Sequence, residues 1–199
     1  MANRTDQIGK IIQQSMQTKQ ALLEQPELLV LIQEVADRCI QTYQQKGKLL
    51  FCGNGGSAAD AQHIAAELSG RFYYDRPPLF AEALHVNTSF LTAVANDYGF
   101  EHAYERMVQA AGQEGDVLFA MSTSGNSPNI IAAAKQAQRQ GLLVVGLTGA
   151  SGGALKECCD CLINVPSTDT PRIQECHILV GHIICELVEA ALFPQNKIS

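Results

Sequence analysis

Several groups of residues in this 199-residue chain have the types and spacing to do chemistry. His63 and Glu67 are four apart in SAADAQHIAAELSGRF, so they share one helix face about one turn apart. An imidazole exchanges protons near neutral pH. A carboxylate withdrawn from water is a better base there. The same spacing describes an ordinary surface pair worth roughly a few tenths of a kcal/mol. Spacing alone favours that plainer reading, because Ile64 and Leu68 mark the buried stripe that His63 and Glu67 only flank.

STSGNS sets Ser122, Thr123, Ser124 and Ser127 just ahead of a helix start. Free backbone N–H groups and the positive end of the macrodipole favour an anion there. Hydroxyls without a Lys suit a phosphate held by neutral donors. Ser127 alone also reads as a plain N-cap, but four hydroxyls in six residues tip the segment toward an anion site. GNGGS places Asn54, Gly55, Gly56 and Ser57 after a short apolar run. Gly53, Gly55 and Ala58 satisfy a G-x-G-x-x-A dinucleotide fingerprint. That fingerprint wants an acidic residue closing the next strand, and Glu82 falls near its start instead. The alternative is that this turn brings backbone N–H groups and the Asn54 amide to a sugar.

The last apolar stretch carries Arg172, Gln174, Glu175, His177 and His182. A His in such a helix is by default a core or interface group. Gln174 and His182 are eight apart, which is a rise of about 12 Å and a turn of about 80° off alignment. If both serve one ligand, they come from different subunits, which predicts an oligomer with shared sites. Cys158, Cys159 and Cys161 suggest zinc, but structural zinc needs a second ligand pair. They read as small buried residues around a strand.

The elements that must position these groups follow from periodicity. Residues 1–46 read as two helices, with Ile8, Ile11, Ile12, Met16, Leu22 and Leu23 at near-helical spacing. Five short strand candidates follow, at 48–52, 81–86, 116–121, 142–147 and 161–165. They are apolar on both faces and alternate with helices, the pattern of a parallel sheet covered on both sides. Residues 88–112 read as helix broken near Asn96–Gly99. The chain reads as one domain over 1–199, with helices at 1–46 for packing or oligomerisation and an α/β core at 47–199.

Net charge is −6, against a general nucleic-acid or anionic-membrane binder. No apolar run reaches the roughly 18 residues of a membrane span. The polar N-terminus is no secretory signal, and seven Cys without framework spacing fit reduced thiols in the cytoplasm.

Taken together, GNGGSAADAQHIAAELSGRF, AVANDYGFE, STSGNSPNI and DTPRIQECHILVGHIICELVE closely resemble the bacterial phosphoheptose isomerases, a class within the sugar-isomerase (SIS) domain superfamily. The resemblance covers nearly the whole chain. It implies a three-layer αβα sandwich on a five-stranded parallel sheet, preceded by N-terminal helices. It also implies a homotetramer with active sites at subunit interfaces. The activity implied interconverts sedoheptulose 7-phosphate and D-glycero-D-manno-heptose 7-phosphate through an enediol, the first step toward ADP-heptose and lipopolysaccharide or related surface polymers. Glu67 and His182 resemble the catalytic pair. Asn54, Gly55, Gly56, Ser57, Asn96, Asp97, Ser122, Thr123, Ser124, Ser127 and Gln174, with Glu67, resemble the substrate contacts. His63, Glu67, Gln174 and His182 match the zinc ligands of some members, and no nucleotide cofactor is expected. FAEALHVNTSF departs from the family where relatives often carry Asp near Asn87. A paralogous class binds the replication initiator DnaA and lacks the catalytic pair; the pair is present here, which favours the enzyme.

Overall fold

The computed structural model describes residues 3–195; a domain running over 1–199 therefore extends at both ends beyond the described residues. Five strands form one sheet: β1 (Leu49–Gly53), β2 (Ala81–Ala83), β3 (Val117–Met121), β4 (Leu143–Thr148) and β5 (Cys161–Asn164). Their order is β2-β1-β3-β4-β5, and every pair is parallel. The helices are α1 (Arg4–Leu23), α2 (Pro26–Gln44), α3 (Gly56–Ser69), α4 (Thr88–Tyr98), α5 (Ala103–Ala111), α6 (Pro128–Arg139) and α7 (Thr170–Leu192). Short 3₁₀ turns lie at Phe100–His102 and Gly153–Cys158. The three-layer αβα sandwich expected from the pattern is the observed architecture.

The two-residue period of the strands sorts the core into two layers. Leu49, Phe51, Val117, Phe119, Met121, Val145 and Leu147 face α2, α3 and α7. Leu50, Cys52, Leu118, Ala120 and Val144 face α5 and α6. Phe51 and Phe119 stack at 4.8 Å between centroids, and such a pair adds about 0.5–1.5 kcal/mol beyond burial. Both strands are buried along their length, which explains why no alternation is visible in their sequences.

The interrupted helix at 88–112 breaks at Gly99, which has φ +92°. Asn87, in the segment that departs from the family pattern, caps α4 by accepting the Phe90 N–H at 3.0 Å. The two leading helices behave differently. In α2, Leu28, Ile32, Val35 and Cys39 enter the core. In α1 only Leu22 is buried, while Ile8, Ile11, Ile12, Met16 and Leu23 face outward. Polar contacts fasten α1 to α7. Arg172 donates to the Ile11 carbonyl at 2.8 Å, and Glu175 accepts from the Ser15 hydroxyl at 2.6 Å.

Strand order reverses between β1 and β3, so the chain leaves these neighbours toward opposite faces. Ligands of open α/β sheets bind outside the carboxyl ends of strands at such a switch point. The loops after β1 and β3 are GNGGS and STSGNS.

Candidate active site

The loop after β1 turns sharply into α3. A Cβ on Gly53 would lie 2.5 Å from the Ser57 carbonyl oxygen. Asn54 then faces Asn129 on α6, and the two amides bond reciprocally at 2.9 and 2.8 Å. The expected role of Asn54 toward a sugar is thus shared with a structural one, because this pair ties the first loop to the second. Asn129, buried on the first turn of α6, has no sequence signal beyond its place after Ser127-Pro128.

In the second loop the Ser127 hydroxyl pairs with the Ser122 hydroxyl at 3.0 Å and makes no cap bond to α6. The plain N-cap reading of Ser127 is therefore displaced: its oxygen turns toward the loop's interior, not onto its own helix. Ser124 Oγ accepts the Asn126 N–H at 3.1 Å. Gly125 has φ +67°, and a Cβ there would stand 2.0 Å from the Gly152 carbonyl oxygen. The loop after β4 braces the hydroxyl loop from behind, and only glycine permits that approach.

On the other side of the sheet from α6, α3 and α7 run side by side. His63 Nε2 lies 3.0 Å from Glu67 Oε1 and 3.4 Å from His182 Nε2. The rings of His63 and His182 meet edge to face at 5.0 Å. The close approach exists because Gly181 packs directly on Ile64, where a Cβ would stand 2.3 Å from Ile64 Cδ1. His63 and Glu67 do form the expected i,i+4 surface pair, and a third group from another helix joins them. The two histidines of α7 separate. His182 is part of this cluster. His177 is fully buried, Nε2 at 3.2 Å from the Thr148 carbonyl oxygen, and burial lowers its pKa to about 4.

The ligand atoms of His63, Glu67 and His182 all lie within 4.8 Å of one another. One proton on His63 Nε2 satisfies either Glu67 or His182, not both. Three lone pairs converging with too few protons could hold a cation. Two imidazoles and a carboxylate are also a recurrent catalytic zinc set with a position left open. Among the described residues, Cys158, Cys159 and Cys161 join no such cluster.

Not every expected residue comes to this cluster. Gln174 lies against the first loop; a Cβ on Gly56 would stand 2.5 Å from its Nε2. From there His63 is seven residues on, about 10 Å along α3. Asn96 and Asp97 sit on the exposed last turn of α4, where the Asn96 amide donates to Asp97 at 2.8 Å. That helix packs with α5, on the face opposite α3 and α7.

Other residues near the cluster were not legible beforehand. Asp60 stands one turn before His63 with a buried, unpartnered Oδ2. Burial raises its pKa and the nearby His63 opposes that. Phe72 places its ring 5.6 Å from that of His182. The acidic residue a dinucleotide site needs is not at the end of β2: Glu82 pairs with Leu50 in mid-strand, and His85 follows the strand end.

The SIS domain family matches residues 7–149. The phosphoheptose isomerase of Aneurinibacillus thermoaerophilus is 54% identical over 194 residues, covering 98% of each chain. The chain belongs to the phosphoheptose isomerases of the SIS domain family. Two solved structures agree. The phosphoheptose isomerase of Neisseria gonorrhoeae superposes with a TM-score of 0.89 at 41% identity, covering 94% of this chain and 100% of that one. The Francisella tularensis phosphoheptose isomerase gives 0.89 at 36%, covering 94% and 98%. The chain is therefore an isomerase. The non-catalytic alternative gives way to that membership. Among the described residues, no helix is long and apolar enough to cross a membrane.

Proposed function

We propose that the isomerase interconverts sedoheptulose 7-phosphate and D-glycero-D-manno-heptose 7-phosphate, the entry step to ADP-heptose. The observation that carries this reading is the meeting of His63 and Glu67 with His182 at 3.0 and 3.4 Å. A carboxylate and an imidazole are the two groups that a 1,2-proton shift requires. Glu67 removes a proton from C1 of the ketose while the carbonyl oxygen at C2 gains one, giving the enediol. Proton loss from the C1 oxygen and proton return to C2 complete the aldose. His182 exchanges the oxygen protons; the two roles can also be reversed. The hydroxyls of Ser122, Thr123, Ser124 and Ser127 hold the distant phosphate and so contribute orientation. Asn54, Gly55, Gly56 and Ser57 contact the sugar; Asn96 and Asp97, on the opposite face of their own chain, reach it from a neighbouring copy.

Zinc held by His63, Glu67, His182 and Gln174 would polarise the carbonyl. In one chain Gln174 stands about two turns from the other three, so the fourth ligand comes from a neighbouring copy. That separation and the outward apolar stripe of α1 support a homotetramer with active sites at subunit interfaces. Seven free thiols suit a reducing cytoplasm.

The test is incubation of purified protein with sedoheptulose 7-phosphate, with and without a chelator, followed by product analysis. Appearance of the aldose is expected, with loss on chelation. Absence of aldose under both conditions sinks the assignment.

A further inference from the structure

Behind the cluster lies an ion pair that the isomerase chemistry does not use. Arg76 and Glu189 are each 1% exposed, with Nε 3.0 Å from Oε1. The guanidinium also donates to the Glu67 carbonyl at 2.9 Å, the Leu68 carbonyl at 2.8 Å and the Gly70 carbonyl at 3.3 Å. Glu67 and Leu68 lie in the last turn of α3 and Gly70 is its C-cap, so these carbonyls have no helical partners. A cation there also complements the negative end of the helix dipole. Glu189, on α7, accepts the backbone N–H groups of Phe72 at 2.9 Å and Tyr73 at 2.8 Å. The Tyr74 hydroxyl donates to the Phe193 carbonyl at 2.9 Å. Burial pushes the Glu189 carboxyl up, but these N–H donors and Arg76 outweigh it and hold the group below its usual range.

The pair therefore does two things at once. It caps α3, which ends two residues past Glu67, and it hangs residues 72 and 73 from α7. The Phe72 ring, placed by that suspension, lies 5.6 Å from the His182 ring at a 39° tilt. The His182 ring packs against the rings of both His63 and Phe72.

We infer that Arg76, Glu189 and Phe72 are positioning residues: the buried pair seats the Phe72 ring against His182 and fixes the imidazole relative to Glu67. Hydrophobic residues would join two helices as firmly as a buried ion pair does. Three guanidinium bonds to the end of one helix and two N–H groups aimed at one carboxylate give what an apolar contact lacks, a set direction. The inference rests on the isomerase reading of the cluster and adds the means by which its geometry is held.

The test uses the intact isomerase. Phe72→Ala leaves the ion pair whole. It is expected to lower kcat by about ten- to a hundredfold with KM within about twofold, because small misplacement of a catalytic group is costly. Phe72→Tyr, which keeps the ring, restores the rate. In the crystal structure of Phe72→Ala, His182 leaves its rotamer and its contact with His63. Arg76→Lys, which keeps charge but not the fork, is expected to lower kcat about tenfold. Should that variant fail to fold, the Phe72 variants still decide. A folded Phe72→Ala with unchanged kcat, or with His182 unmoved, overturns the inference. If the unaltered protein is inert on sedoheptulose 7-phosphate, the substrate assignment fails, and the position of His182 in that crystal structure alone decides this one.

Discussion

The seam between α3 and α7, set close by Gly181 against Ile64, is locked at one end by a buried ion pair, whereas the loops beyond β1 and β3 are held by glycine contacts and neutral donors alone. At the seam, Arg76 and Glu189 satisfy each other and six further backbone groups (four carbonyls and two N–H groups), so nothing is left over for a ligand. In the loops, Ser122 and Ser127 bond each other, and a hydroxyl pair exchanges one partner for a phosphate oxygen at small cost. The difference teaches what each half must do. Proton transfer needs two groups fixed before substrate arrives. Anion binding needs donors that can turn.

The largest expected effect lies on the seam side. Glu67→Gln and His182→Ala each lower kcat by more than about a hundredfold, with the assembly's size unchanged by gel filtration. A near-normal rate in either variant removes that residue from the chemistry and breaks the contrast. Next comes the loop side. Gly125→Ala forces a Cβ against Gly152 at a φ of +67° and is expected to cost about 1–3 kcal/mol, or about 2–4 °C in Tm for each. KM should rise while kcat holds; a fall in kcat at constant KM would blur the division of labour.

His177, a neutral group bonded to the Thr148 carbonyl, sharpens the comparison through pH. Its folded pKa of about 4 lies below the unfolded 6.5. Above pH 6.5 both states are neutral and the group contributes no pH dependence. As pH falls from 6.5 toward 4 the unfolded state takes up the proton first, so stability is lost across that window. Urea unfolding at pH 7 and pH 5 should show a loss about 2 kcal/mol larger in the unaltered protein than in His177→Gln. Equal losses would mean that His177 is solvated. The smallest effect belongs to Ser127→Ala. Its hydroxyl caps nothing, so stability should change by less than the roughly 1 kcal/mol of a lost N-cap, while KM rises severalfold. A full cap penalty with unchanged KM would return Ser127 to the plain helix-start reading.

Much of this was legible beforehand. Buried strands such as Val117–Met121 announce themselves as unbroken apolar runs, and Gly-rich segments after them mark loops that must bend. His63 and Glu67 were visible as a pair because helical spacing is local information. His177 and His182 looked alike, since both sit in the same apolar helix; only their packing, one under Thr148 and one beside His63, tells them apart. Glu189 left a faint sign, a carboxylate four residues after Cys185 on the buried stripe. Arg76 left none, because a loop residue's partners are set by where the loop is carried.

Composition and periodicity alone determine the alternation of strands and helices, the ends of the sheet where loops gather, and the residue types able to move a proton or hold a phosphate. These depend on contacts within a few residues. Only the tertiary structure decides that α3 and α7 run side by side, that His182 reaches His63 while Gln174 stays at the first loop, and that a buried ion pair closes the seam. Those outcomes depend on how two helices more than a hundred residues apart in sequence pack on one sheet, and Gly181 against Ile64 sets their approach.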